Sequence, residues 1–201
     1  MYQNMGSMGL NCFDTVCQLG YRDIALLLVT SGSVDINGKD EHDQTPLFFV
    51  SNNGMIEVVR ALVEAGADLN QAMEDGTTPL FIASQEGHVD VVRCLAEAGA
   101  DLNQARGDGT TPLYIASQEG RMDVVRCLAE AGADLNQAME GGATPLHMAS
   151  YQGHLDVVKY LVEAGVDLNP GNYEGGTPLA LARQEGHKKV VAFLERAGVT
   201  A

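Results

Sequence analysis

TTPLFIASQEGHVDVVRCLAEAGADLNQA, residues 77–105, returns as TTPLYIASQEGRMDVVRCLAEAGADLNQA at residues 110–138. Three positions differ: Phe81 becomes Tyr114, His88 becomes Arg121 and Val89 becomes Met122. The shift is 33 residues, and the Thr-Pro-Leu triplet keeps that beat from Thr45 through Thr78, Thr111 and Thr144 to Thr177. A fixed period of this length marks stacked supersecondary units, none of which can bury its apolar face alone.

The local chemistry predicts what one unit is made of. Thr78 is placed to cap a helix with its hydroxyl, and Pro79 suits the first helical position, where a missing N–H costs nothing. Leu80, Ile82 and Ala83 supply apolar contacts, and Gly87 ends this short first helix. A second helix is expected from about Val89 to Ala98. Asp90 lies in its first turn, Val91, Val92 and Leu95 form its apolar face, and Gly99 closes it. Residues 101–109 read as an extended, turn-forming connection. Of the 23 glycines, sixteen fall at unit positions needed for helix ends or turns: 20, 32, 54, 66, 76, 87, 99, 109, 120, 132, 142, 153, 165, 175, 186 and 198.

The pattern TPL(H), A, GH, VV, L, AGADLN resembles the ankyrin repeat, with the TPLH form complete at Thr144, Pro145, Leu146 and His147. The resemblance covers roughly residues 12–201. It implies an all-α repeat solenoid of helix-turn-helix units with a β-turn or hairpin connection, in a single elongated domain. The expected division is a disordered lead at 1–11, a degenerate N-terminal capping repeat at 12–44, repeats at 45–77, 78–110, 111–143 and 144–176, and a C-terminal capping repeat at 177–201. In the first unit Cys12-Phe13 replaces Pro-Leu, and one extra residue falls near Ser33. In the last, Lys188, Lys189 and Arg196 make the second helix polar and basic, so the array is expected to end there. Two polar ends predict a monomer.

The chain has 201 residues and a formal net charge of −15. By segment the charge runs −4 (1–44), −4 (45–77), −3, −3, −3 and +2 (177–201). Nucleic-acid binding requires a cationic footprint, and anionic membranes repel the same field, so both partner classes are excluded. A basic protein or peptide would instead be steered toward the chain. No basic stretch precedes a long apolar core, so no secretory leader is expected. The longest apolar run, residues 24–29, is far below the roughly 20 residues that span a bilayer.

Chemistry is sparse. Cys94 and Cys127 occupy equivalent places in neighbouring units and are not expected to bridge, while Cys12 and Cys17 lack a second pair to complete a metal site. Buried free thiols in a reducing cytoplasmic or nuclear compartment are expected. His88, His154 and His187 share one unit position, strung along the array instead of converging on a metal; the resemblance implies hydrogen-bonding spacers between units. Ser84, Ser117 and Ser150 repeat in register as scaffold positions. No phosphate-binding loop is present, so no enzyme, cofactor or metal is expected.

The resemblance implies a concave surface of turns and first helices used to bind proteins. Positions that break the repeat are its candidates: Glu74, Asp75, Thr77, Phe81, Gln85, Glu86, Asp108, Thr110, Tyr114, Gln118, Glu119, Glu140, Tyr151, Gln152, Tyr173 and Glu174. Carboxylates interleaved with aromatics suit an Arg- or Lys-bearing segment. The residue reading leaves a second possibility open, that the aromatics pack between units and the acids face water. Asn70, Asn103, Asn136 and Asn169 resemble sites accepted by asparaginyl hydroxylases; each is also placed to stabilise a turn. The leading expectation is a non-enzymatic protein-interaction module, the alternative a structural spacer or stable scaffold, natural or consensus-like.

Overall fold

The computed structural model describes residues 5–172 and 175–198, the first seven of these by backbone alone. Twelve helices and no strands are found among them, in two compact units, Met1–Asp101 and Leu102–Ala201. The first unit holds α1 (Met5–Gln18), α2 (Arg22–Thr30), α3 (Pro46–Asn52), α4 (Ile56–Glu64), α5 (Pro79–Glu86) and α6 (Val89–Glu97). Within it α3 packs on α5, while α2, α4 and α6 follow one another on the other side. The second holds α7 (Pro112–Gln118), α8 (Met122–Glu130), α9 (Pro145–Gln152), α10 (Leu155–Glu163), α11 (Pro178–Gln184) and α12 (Lys188–Arg196). There α9 lies between α7 and α11, and α10 between α8 and α12. Both units therefore have the helical-repeat architecture of an all-α solenoid.

The helix starts follow the chemistry read from the sequence. Thr78 Oγ1 accepts from the Phe81 N–H at 3.1 Å with Pro79 behind it, and Thr45 and Thr111 repeat the geometry. Each such cap contributes about 1 kcal/mol. The sixteen glycines singled out above are the sixteen that adopt positive φ among the described residues. The turn glycine of the later units is replaced in the first by Asp43, at φ 63. Two contacts hold it there: Lys39 Nζ at 2.8 Å from Oδ1, and the Glu74 N–H, which donates to Oδ2 at 2.7 Å.

The lead is not disordered throughout: α1 begins at Met5, so residues 5–11 are helical, and residues 1–4 lie outside the described residues. Every later first helix starts at a Thr-Pro step, whose ring cannot continue a helix upstream. Cys12-Phe13 has no proline, and nothing between Met5 and Gln18 interrupts the backbone ladder.

Units are joined by polar staples as well as apolar packing. Asn37 Oδ1 accepts from the Asp68 N–H at 2.8 Å, and Asn70 from Asp101 at 2.9 Å. In the second unit Asn103 accepts from Asp134 at 2.8 Å and Asn136 from Asp167 at 3.0 Å. The expected spacer histidines behave likewise. His88 Nε2 donates to the Asn52 carbonyl at 3.0 Å, His154 to Gln118 at 2.9 Å and His187 to Tyr151 at 2.8 Å. A carbonyl can only accept, which fixes the proton on Nε2 in all three.

Four buried serines divide by partner. Ser84 Oγ donates to the Leu80 carbonyl at 2.7 Å, whereas the hydroxyls of Ser51, Ser117 and Ser150 have none. A buried hydroxyl without a partner carries its desolvation cost uncompensated. Ser117→Ala is therefore expected to leave the urea midpoint unchanged or raise it, by up to about 1 kcal/mol in stability, while Ser84→Ala lowers it.

Candidate functional site

The residues expected to face a partner divide sharply once placed. In the first unit Glu74 and Glu86 are exposed and Gln85 is half-buried, but Phe81 is only 1 % exposed and Thr77 is buried. In the second, Glu119, Glu140, Tyr151 and Gln152 are exposed and Gln118 is half-buried, while Tyr114 and Thr110 are buried. Phe81 and Tyr114, with Thr77 and Thr110, are thus packing residues and not a contact surface. The Thr cap binds the N–H of the residue three positions on, and the side chain there turns inward with the preceding Leu. His147 occupies the same slot and is fully buried. Tyr173 and Glu174 lie outside the described residues.

The buried slot is polar where its occupant demands it. Tyr114 Oη donates to Met139 Sδ at 3.0 Å, and burial, with the nearby Asp108 charge, pushes the phenol up to about 12. His147 Nδ1 accepts from the Thr144 N–H at 3.1 Å, so Nε2 carries the proton and donates to the Gly176 carbonyl at 3.1 Å. Burial holds this imidazole below its ordinary pKa and therefore neutral.

Two candidate carboxylates are occupied as well. Asp75 Oδ1 accepts from the Thr77 N–H and Asp108 Oδ1 from the Thr110 N–H, both at 2.9 Å, closing their turns. Hydrogen bonds from Thr110 hold Asp108 below the usual carboxylate range. The free thiols also differ from expectation: Cys17 is buried, Cys94 and Cys127 are half-buried, but Cys12 is exposed. Among the described residues no group of three His, Cys, Asp or Glu side chains could hold a metal ion, and no helix is long and apolar enough to cross a membrane.

An open groove of about 620 Å³ does form in the first unit. Asp14, Thr15 and Gln18 of α1 line one wall, Asp40, Glu41, His42 and Gln44 of the first turn another, and Phe49, Asn52 and Asn53 of α3 the third. Asp40 Oδ1 accepts from the N–H groups of His42 and Gln44, both at 2.8 Å, which fixes the turn around it. Asp14 is half-buried and hydrogen-bonds to the Asp40 carboxyl. Burial, then the neighbouring Asp40 charge, raises its pKa to about 6. The nearby Lys39 is engaged with Asp43 and the Ala72 carbonyl, so the groove keeps its negative field.

Sequence reasoning found the turn residues Glu41, His42 and Gln44 in register but missed Asp14, Asp40 and Phe49. Phe49 follows the inward Phe48 and is half-buried, a slot filled later by Ile82, Ile115, Met148 and Leu181. That slot is apolar in every unit, and only its partial exposure separates it from the core. Asp14 belongs to the unit whose Pro-Leu is lost, so no register pointed to it.

The family model described as ankyrin repeats (3 copies) matches residues 13–106, 70–139, 100–172 and 137–200. No curated protein matches the chain. With the period, the paired helices and the family match in agreement, the chain belongs to the ankyrin-repeat family.

Proposed function

We propose that the chain is a non-enzymatic protein-interaction module that takes an Arg- or Lys-bearing peptide segment into the groove bounded by α1, the first turn and α3. The observation that carries this reading is the pairing of Asp14 with Asp40 beside Glu41 over the half-buried Phe49. Two carboxyls that share a proton are relieved of their mutual repulsion by an incoming cation. An aromatic floor accepts the apolar stem or the guanidinium face of the same side chain. The strongly acidic chain steers such a partner in. The exposed carboxylates Glu74, Glu86, Glu119 and Glu140 extend the field without a groove of their own. Four free cysteines accord with a reducing, intracellular setting. The competing reading, a spacer without a partner, has no use for a proton-sharing pair in a groove.

The test is titration calorimetry with an arginine-rich synthetic dodecapeptide and its glutamine counterpart. Binding of the arginine form alone is expected, weakened at least tenfold by Asp14→Asn with Glu41→Lys. The sign with pH follows from Asp14. A cation favours the carboxylate, so affinity rises from pH 5 to pH 7.5 by up to roughly tenfold, the change carried by one pKa unit. His42 loses its charge over the same range and acts in the same direction. Folding stability runs oppositely. The native state holds a proton that the unfolded chain has lost between about pH 4 and pH 6, so stability falls as pH rises through that window, and Asp14→Asn removes the fall. Equal binding of both peptides, or indifference to the variant, rejects the groove as the site.

A further inference from the structure

The end of the array at α2 is not the polar cap that the sequence suggested. Leu19, Tyr21, Ile24 and Leu27 are 63, 54, 47 and 65 % exposed, four of the five large exposed hydrophobic side chains among the described residues. Register shows what this exposure means. The positions equivalent to Ile24 are Val58, Val91, Val124, Val157 and Val190, each 0–1 % exposed. Leu28 is half-buried where Leu62, Leu95, Leu128, Leu161 and Leu194 are fully buried. Tyr21 holds the position from which His88 reaches back to a carbonyl of the preceding unit. The face is therefore one half of the stacking interface that α2, α4 and α6 continue.

We infer that this α2 face is a homodimer surface, covered in solution by the same face of a second copy of this chain. The far end offers no apolar match: α11 and α12 present an Arg183–Glu195 ion pair at 2.8 Å with Lys188 and Lys189 exposed. Stacking α2 on that surface would bury charge against Ile24 and Leu27, at a cost apolar contact does not return. A face meeting itself puts apolar against apolar and closes with two-fold symmetry, so association stops at two. Arg22 and Asp23, side by side at its edge, leave it without net charge, so two copies do not repel there. The expectation of a monomer rested on two polar ends, and one of them is apolar.

Sedimentation velocity from about 1 to 200 μM on the full chain tests this, alongside Leu19→Glu with Leu27→Glu. Both positions lie outside the core, so the variant folds, as its circular dichroism and melting temperature check. The parent is expected to shift from monomer to dimer with concentration, and the variant to stay monomeric throughout. A parent that remains monomeric at 200 μM overturns the inference, which then leaves the face to a different helical partner. A dimer that survives the double substitution overturns it too, because the contact must lie elsewhere. A parent that passes beyond dimer overturns the self-matching geometry in favour of end-to-end stacking.

Discussion

Leu128→Ala is expected to cost about 3 kcal/mol of unfolding free energy, near the middle of the range for fully buried leucines. Leu128 is fully buried in α8 together with Val124 and Val125, and α8 packs on α7 and on α10. Removing the isobutyl group loses its transfer free energy and leaves a cavity that two packed neighbours prevent from collapsing. The residue also serves two interfaces, and in a repeat array stability is a sum of unit and interface terms. Arg126 lies on the exposed side of the same helix, 3.7 Å from Asp123. Arg126→Ala should stay within about 0.5 kcal/mol, as surface ion pairs do. Urea denaturation followed by circular dichroism checks both. Equal midpoints for the two variants would mean that α8 does not present this face to the core.

Gly120→Ala should cost about 2–3 kcal/mol, for two separable reasons. The residue has φ 66, a left-handed conformation that costs a non-glycine residue about 1 kcal/mol. A Cβ there would also lie 2.6 Å from Nδ1 and 2.7 Å from Cε1 of His154, the ring that bonds the Gln118 carbonyl at 2.9 Å. Displacing the ring loses that bond, a further 1 kcal/mol or so. Gly132 isolates the first effect, since it has φ 97 with nothing within 4 Å of an added Cβ. Gly132→Ala should therefore cost about 1 kcal/mol. In a His154→Ala background Gly120→Ala should fall to that same value, a coupling of about 1 kcal/mol in the double-mutant cycle. Thermal melts of the four proteins decide it. Additivity at Gly120 and His154 would show that the ring does not rest on the glycine.

This pair shows why the fold was legible. Helix caps, glycine positions and histidine staples are local chemistry repeated at a fixed spacing, so each unit confirms the reading of the next. Thr78, Pro79, Gly87 and His88 could be assigned from one unit and checked in four. The site was less legible, because the rule used to find it fails at one slot. Variation was taken to mark contact, and Phe81, Tyr114 and His147 do vary. They vary because each fills the core differently: Tyr114 meets a methionine sulfur, and His147 bonds the Gly176 carbonyl and the Thr144 N–H. The groove escaped notice for the opposite reason. Asp14 lies where the period is lost, and its significance depends on Asp40, 26 positions away, on a different element. Ile24 and Leu27 looked like ordinary core residues of a degenerate unit, and only their exposure shows that the unit has no cover.

The central claim is that the first-turn groove receives a cationic peptide segment. Its most direct test is selection from a random-peptide display library against three immobilised proteins: the parent, the Asp14→Asn, Glu41→Lys variant and a Glu86→Lys, Glu119→Lys variant. The account predicts enrichment of peptides bearing Arg or Lys on the parent and on the third protein, with none on the second. Enrichment that survives the groove substitutions, or peptides without basic residues, would contradict it.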